Sequence, residues 1–250
     1  MDFPTLLAIS GLVFVVAALY SSVGHGGASG YLAILSLFAV APAMMSTTAL
    51  VLNVLVAGLS LFSYSRAGHL SLKLSWPFMV LSIPAAILGG AIHISDRTYF
   101  LLLAGALLFA AVRLAIRQSD PGTGAATSNP VLAVSLPVGA GIGLLSGIVG
   151  VGGGIFLSPI MILKKWADTK QTAAVSALFI VVNSIAGLGG RFLRGGLEFG
   201  PMLPFLLAAF LGGLAGSYAG ANKFSGLTLR RLLAFVLLIA AGKLILTYYH

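Results

Sequence analysis

Two glycine-rich segments interrupt long apolar runs at matching places in the two halves of the chain. The first is VGHGGASG, from Val23 to Gly30, and the second is VGVGGG, from Val149 to Gly154. Because glycine has no Cβ, successive backbone N–H groups can converge there on a ligand. A helix that begins at such a point adds about half an elementary positive charge. The pattern therefore predicts the binding of a small anion.

Each glycine-rich segment precedes an apolar run of only half the usual length. Gly26, Gly27 and Ser29 precede a run that begins at Tyr31, and three glycines precede one that begins at Ile155. Discontinuous helices of this kind form the substrate sites of many transporters. Close packing between neighbouring helices is the alternative role for these glycines. The predicted substrate-binding residues are Gly24, His25, Gly26, Gly27, Ser29, Ser46, Thr47, Asn53, Gly150, Gly152, Gly153, Gly154, Ser176 and Asn183.

Asn53 and Asn183 are the only asparagines inside the long apolar runs. An offset of 130 residues pairs them with each other and also pairs Ser46 with Ser176. A buried amide needs a partner, so each asparagine is expected either to donate to substrate oxygens or to tie helices together. Further candidate donors are the hydroxyl groups of Ser46, Thr47, Thr48 and Ser176, with bonding to their own helix backbone as the alternative.

His25 is the one ionisable side chain predicted at membrane depth, with Val151 as its counterpart in the second half. An imidazole exchanges protons in the physiological range, so His25 is a candidate for proton coupling. A local hydrogen bond is the alternative. Arg66 and Arg194 follow the two asparagine-containing runs and are candidates for gating or for steering an anion. They are also explained as orientation signals.

These residues must be positioned by membrane-spanning helices. The chain is 59% hydrophobic and only 8% charged over 250 residues, a composition that a water-exposed surface does not allow. The predicted fold is an all-α polytopic membrane protein with about eight spanning helices and two short half-helices. The long runs cover residues 5–22, 44–63, 74–93, 98–117, 131–149, 171–190, 201–221 and 229–247, and the short runs cover Tyr31–Val40 and Ile155–Leu163.

The two halves form an internal repeat. An offset of 126 residues places Val23-Gly24 on Val149-Gly150 and Gly26-Gly27 on Gly152-Gly153. The predicted organisation is a first transmembrane repeat over residues 1–117, a linker rich in Gly, Ser, Thr and Pro over 118–129, and a second repeat over 130–250.

The positive charges favour repeats of inverted orientation. If all eight long runs cross, the 14 Lys and Arg residues divide seven against seven between the two sides of the membrane. If each glycine break instead turns its short run back, they divide ten against four. Because Lys and Arg favour the cytoplasmic side, the second arrangement gives a clear orientation, with inverted repeats and the linker in the cytoplasm.

Composition also bears on partners and cofactors. The net charge of +9 comes from residues at the ends of the apolar runs, where anionic lipid headgroups account for it without nucleic acid. The long runs contain no Asp, no Glu, no histidine pair and no cysteine, so neither catalysis, a cofactor nor a metal is expected. The expected partners are a small anionic substrate and the lipid bilayer, and the sequence leaves a homo-oligomer open.

Several motifs occur together: Gly24-His25-Gly26-Gly27, Gly150 to Phe156, Ser176-Ala177, Asn183-Ser184 and Arg194-Gly195-Gly196. With them the chain resembles the TauE/SafE sulfite exporter family of membrane permeases over nearly its whole length. The resemblance implies a multi-pass protein of the bacterial cytoplasmic (inner) membrane that moves sulfite, organosulfonates or similar anions.

The sequence thus predicts a secondary transporter that carries a small sulfur-containing anion by alternating access. A passive anion channel is the main alternative. A membrane-embedded enzyme or an assembly subunit is the third hypothesis.

Overall fold

A computed structural model describes residues 2–22, 24–115, 130–199, 202–222, 238 and 241–246, without the side chains of residues 113, 114 and 218–222. The described chain is helical. The helices are α1 (Phe3–Ser21), α2 (Ala28–Leu37), α3 (Pro42–Arg66), α4 (Leu72–Ala91), α5 (Asp96–Ala115), α6 (Leu132–Val149), α7 (Gly154–Leu163), α8 (Thr169–Arg194) and α9 (Met202–Asn222).

These helices confirm an all-α, multi-pass membrane fold. Among the described residues, α1, α3, α4, α6 and α8 are long and apolar enough to cross a bilayer. The predicted runs from 5–22 to 201–221 each coincide with a helix. The predicted linker over 118–129 and most of the run over 229–247 lie outside the described residues, so the domain boundaries stay a prediction.

The two short helices are confirmed as half-length elements. Helices α2 and α7 have 10 residues each, about 15 Å of helix against the ~30 Å thickness of the hydrocarbon. Both begin earlier than predicted, so Ser29 and Gly154 lie inside the helices and not before them. Residues Ala28 to Ser36 of α2 are all buried, so protein surrounds the chain where it leaves the helical conformation.

The backbone repeats its turns in both halves. Positive φ angles occur at the end of α1 and α6, at the start of α2 and α7, and just after α2, α7, α3 and α8. The corresponding residues are Gly24 and Gly150, Gly27 and Gly153, Ala39 and Lys165, and Gly68 and Gly195. Their separation is 126 residues for three of the pairs and 127 for the last. These four turns are thus built twice, whereas Gly152 has a φ of 77° and Gly26 at the matching place has no positive φ.

Packing between the halves is reciprocal. Helix α1 packs against α9. The counterpart of α1 is α6 and the counterpart of α9 is α4, and these two helices also pack against each other. The long helices α3 and α8 pack against each other, α4 packs on α8 and α3 on α9. Exchanging the two halves therefore maps the main helix contacts onto one another.

Some glycines do serve close helix packing, as the alternative interpretation expects. A Cβ added at Gly139, Gly143 or Gly147 of α6 would collide with backbone carbonyls of α4. Added at Gly212 or Gly216 of α9, it would collide with carbonyls of α1. These small residues at every fourth position let two backbones approach closely, and they are separate from the glycines of the two breaks.

Candidate functional site

Two non-helical breaks precede the short helices. The first break separates α1 from α2 and the second separates α6 from α7. The residues that cap α2 and α7 at their amino ends are Gly27, with φ 95°, and Gly153, with φ 84°. This left-handed conformation is accessible to glycine at little cost, which explains the residue type at both caps.

Asn53 of α3 joins the two breaks. Its Oδ1 accepts a hydrogen bond of 3.1 Å from the amide N–H of Ala28, the first residue of α2. Its Nδ2 donates to the carbonyl of Val151 in the second break at 3.3 Å, and Ser184 Oγ of α8 lies 3.5 Å from the same nitrogen. The side chain is 1% exposed. One buried carboxamide thus holds both breaks at one point in the interior.

The breaks approach this point from two sides. A Cβ on Gly26 would collide with the carboxamide of Asn53, and so would a Cβ on Gly152. Both added atoms would also lie 3.1 Å from a methyl group of Ile180 on α8. The glycines of the two breaks therefore face the same pair of side chains, one from each long helix.

These contacts correct the predicted register between the halves. Gly24 packs against Ala173 of α8, and Gly150 packs against Ser46 of α3, so Ala173 is the counterpart of Ser46. The offset between them is 127 residues, which makes Ile180 and not Asn183 the counterpart of Asn53. The predicted offset of 130 residues aligned residues of the same type. It differs from the observed offset of 127 by almost one helical turn of about 3.6 residues.

Asn183 has a different environment from Asn53. Its Nδ2 donates to the carbonyl of Phe179 in its own helix at 2.9 Å, and its Oδ1 is buried without a partner among the described residues. The structure does not bring Asn183 into hydrogen bonding with either break. Its role in binding stays a prediction.

The first break also reaches the second half through His25. Its Nε2 lies 2.9 Å from Ser158 Oγ on α7, and Ser158 Oγ lies 2.8 Å from Ser176 Oγ on α8. His25 and Ser176, predicted separately, are thus linked through Ser158. By contrast, Ser46 Oγ donates to carbonyls of its own helix at Pro42 and Ala43, and Thr47 is buried on the same helix.

Tyrosine hydroxyl groups surround the start of α2. Tyr20 OH lies 2.6 Å from Ser29 Oγ. Tyr31 is fully buried, and its hydroxyl has no partner among the described residues. That hydroxyl lies 2.8 Å from the position that a Cβ on Gly27 would occupy. The first break therefore presents an unpaired hydroxyl donor at the amino end of a helix.

Backbone N–H groups add to these donors. A helix leaves its first N–H groups without partners inside the helix. Asn53 accepts from Ala28, but within the described part of the chain no hydrogen bond takes up the amides of Ser29 and Gly30. The same holds for Gly154 and Ile155 at the start of α7. Such groups are suited to a small anion.

Arg66 and Arg194 lie away from the breaks. Arg66 is at the end of α3, about 20 Å along the helix from Asn53, with its guanidinium 5.5 Å from the centre of the Phe62 ring. Arg194 donates to the carbonyl of Ile92 at 3.1 Å. Both lie at helix ends, and their role in gating or steering stays a prediction.

Several residues of this region were missed by sequence reasoning. Apolar Ile180 and small polar side chains inside apolar helices give no signal before the contacts are known. Tyr31 and Arg191 did carry a signal in the sequence, because a buried hydroxyl or guanidinium group requires a partner. The missed residues are Tyr20, Tyr31, Tyr99, Ser158, Ile180, Ser184 and Arg191.

Comparison with known proteins gives a consistent assignment. The family model described as sulfite exporter TauE/SafE matches residues 9–244. A probable membrane transporter protein of Sinorhizobium fredii, y4hK, is 34% identical over 234 residues, covering 93% of this chain and 95% of that protein. No solved structure matches the chain.

Proposed function

Because the chain belongs to the TauE/SafE sulfite exporter family and is a multi-pass transporter of the inner membrane, we propose that it is a secondary transporter for a small sulfur-containing anion. Sulfite and organosulfonates are the substrate class, and transport proceeds by alternating access. Membership of the family supports a sulfur-containing substrate. The donor groups at the two breaks support a negatively charged one.

The observation that carries this proposal is the meeting of both breaks on Asn53. The carboxamide binds the start of α2 and the second break at the same time. Among the described residues, the donors without a partner at the two breaks are the first amide N–H groups of α2 and α7 and the hydroxyl group of Tyr31. Donors of this kind suit the oxygens of a sulfite or sulfonate group, because a low-dielectric interior strengthens each hydrogen bond to an anion.

The reciprocal packing supports the proposal of alternating access. Each break contacts the long helix of the other half, Gly24 at Ala173 and Gly150 at Ser46. We place the two halves in inverted orientation, in agreement with the ten-against-four division of positive charges. Rocking of one half against the other would then open the region around Asn53 to each side in turn. In the present structure Gly26, Gly27, Gly152 and Gly153 are all buried, as in a closed state.

Counterflow in proteoliposomes tests the proposal. Vesicles preloaded with unlabelled sulfite, thiosulfate or taurine are diluted into labelled substrate of the same kind, with protein-free liposomes as the control. We expect saturable uptake of at least one sulfur anion that internal substrate accelerates, because a carrier exchanges substrate faster than it returns empty.

The passive channel makes a different prediction in the same preparation. A channel would give continuous anion conductance in a planar bilayer and no acceleration by internal substrate. Conductance without counterflow would overturn the carrier, and the absence of flux for all three solutes would overturn the substrate class.

A further inference from the structure

Arg191 is a cation in the interior of the second half. It lies on α8 and is 3% exposed. Its Nη2 donates to the carbonyls of Gly147 at 2.8 Å and Ile148 at 2.9 Å. Its Nε is buried without a hydrogen-bond partner among the described residues. The guanidinium is therefore only partly satisfied by the protein.

No carboxylate compensates this charge in the part of the chain that the structure describes. The described acidic residues Asp2, Asp96, Asp168 and Glu198 lie at helix ends or in connections. Burying an ion without a counter-ion is unfavourable. Arg191 lies in the last turn of α8, one of the helices long enough to cross a bilayer, and a buried arginine in such a helix is a functional candidate. The carbonyls at the end of a helix offset only about half a charge.

The guanidinium contacts the last turn of α6, the helix that ends at the second break. Gly147 and Ile148 belong to the last turn of α6, and Gly150 is the residue that ends this helix. Tyr99 OH donates to the next carbonyl, that of Val149, at 3.1 Å. Three successive carbonyls at this helix end are thus taken up by Arg191 and Tyr99. The partial negative charge that would repel an anion from the break is neutralised, and a positive charge remains.

The first half lacks this feature. The offset of 127 residues that relates the two long helices places Tyr64 at the position of Arg191. The first break instead offers the unpaired hydroxyl of Tyr31. The two sides of the site therefore differ, one with neutral donors and one with a fixed charge.

We propose that Arg191 supplies the fixed positive charge of the substrate site and makes the carrier selective for the more highly charged sulfur anions. The inference rests on the proposed function. It identifies Arg191 as the compensating charge that lets a divalent anion enter the interior. Arg191 is buried, whereas Arg66 is exposed and Arg194 is partly exposed.

Transport of thiosulfate, a dianion, and methanesulfonate, a monoanion, tests this role in proteoliposomes. The variants are Arg191→Gln, which removes the charge, and Arg191→Lys, which retains it. Lys243→Gln is the matched control, because Lys243 also donates to a helix-end carbonyl, that of Leu37 at 3.1 Å, but at an exposed position. Monodispersity and melting temperature are measured for every variant.

We expect Arg191→Gln to raise the KM for thiosulfate at least about tenfold and the KM for methanesulfonate clearly less, because the lost Coulomb term scales with substrate charge. Arg191→Lys should retain most of the preference for the dianion, and Lys243→Gln should match the wild type. A merely structural arginine would instead lower the amount of active protein and Vmax equally for both anions.

Two results would overturn the inference. One is an unchanged KM ratio in folded Arg191→Gln. The other, decisive if that variant does not fold, is a folded Arg191→Lys protein that has lost the preference for the dianion. A wild-type protein that transports neither anion would contradict the proposed function itself, so the two failures are distinguishable.

Discussion

At the scale of single residues, the two break glycines beside Asn53 have a role that the packing glycines do not share. Gly26 and Gly152 face the carboxamide so closely that neither position has room for a methyl group. The hydrogen bonds of Asn53 to Ala28 and Val151 depend on this approach. Their geometry is therefore sensitive to a single added carbon.

Replacing Gly152 or Gly26 by alanine should reduce substrate flux by about tenfold or more. The added Cβ displaces Asn53 and separates the two breaks, and overpacking of this kind costs about 1–3 kcal/mol. At Gly152 the φ of +77° adds backbone strain. The measurement is counterflow of labelled sulfite at equal amounts of folded protein.

Gly141→Ala is the matched control, because a Cβ at Gly141 of α6 meets nothing within 4 Å. It should transport as the wild type does. Full activity of both Gly26→Ala and Gly152→Ala would show that the close approach at Asn53 is not needed for transport.

At the scale of elements, the short helices pack within their own halves, while the breaks before them contact the opposite half. The start of α2 is bound by Asn53 of its own half, but the break before it contacts α7 and α8 through His25 and Gly24. Half-length helices expose their amino ends inside the protein, whereas a full span would place them at the membrane surface. The glycine breaks thus place the donor groups in the interior of the protein.

Replacing His25 by alanine should flatten the dependence of uptake on external pH between about pH 5 and 8, the range in which an imidazole titrates. The hydrogen bond to Ser158 gives the imidazole a route by which its protonation can alter the contact between the first break and α7. Uptake by vesicles is measured at a series of external pH values with the internal pH held constant.

Ser158→Ala serves as the comparison for His25→Ala. It removes the hydroxyl partner and keeps the imidazole, so a response to pH should persist in reduced form. If His25→Ala retains the wild-type pH profile, proton coupling through this residue is wrong and the histidine serves the contact alone.

At the scale of the whole molecule, the reciprocal contacts describe two related halves that interlock. Helix α1 pairs with α9 as α6 pairs with α4, and α3 and α8 pack against each other between these pairs. The distribution of Lys and Arg further predicts that corresponding loops lie on opposite sides of the membrane. This orientation is open to a direct test, since the chain has no cysteine.

Single cysteines placed after α3 and after α8 should react with an impermeant thiol reagent from opposite sides. Ala67→Cys and Glu198→Cys suit the purpose because both positions are exposed. Inverted repeats place Ala67 in the cytoplasm and Glu198 outside. Only Glu198→Cys should therefore be labelled in intact cells. Labelling of Ala67→Cys after permeabilisation is the control, and equal labelling of both in intact cells would contradict the inverted arrangement.

The sequence by itself determined the membrane fold, the helix positions and the two glycine breaks. Hydrophobic runs about 20 residues long have one favourable environment, and glycine clusters inside them leave few conformations for the backbone. These are local properties, which the order of residues encodes directly. The family motifs lie in the same local patterns.

Only the tertiary structure decided which residues meet. Asn53 and Asn183 match in type, yet contacts across the molecule pair Asn53 with Ile180, because helix packing depends on which face a residue occupies and one helical turn is a small shift in sequence. Likewise, Arg191 becomes distinctive only when the end of α6 is seen beside it. Arg191, Asn53 and the two breaks come from segments far apart in sequence, so their arrangement is a property of the fold.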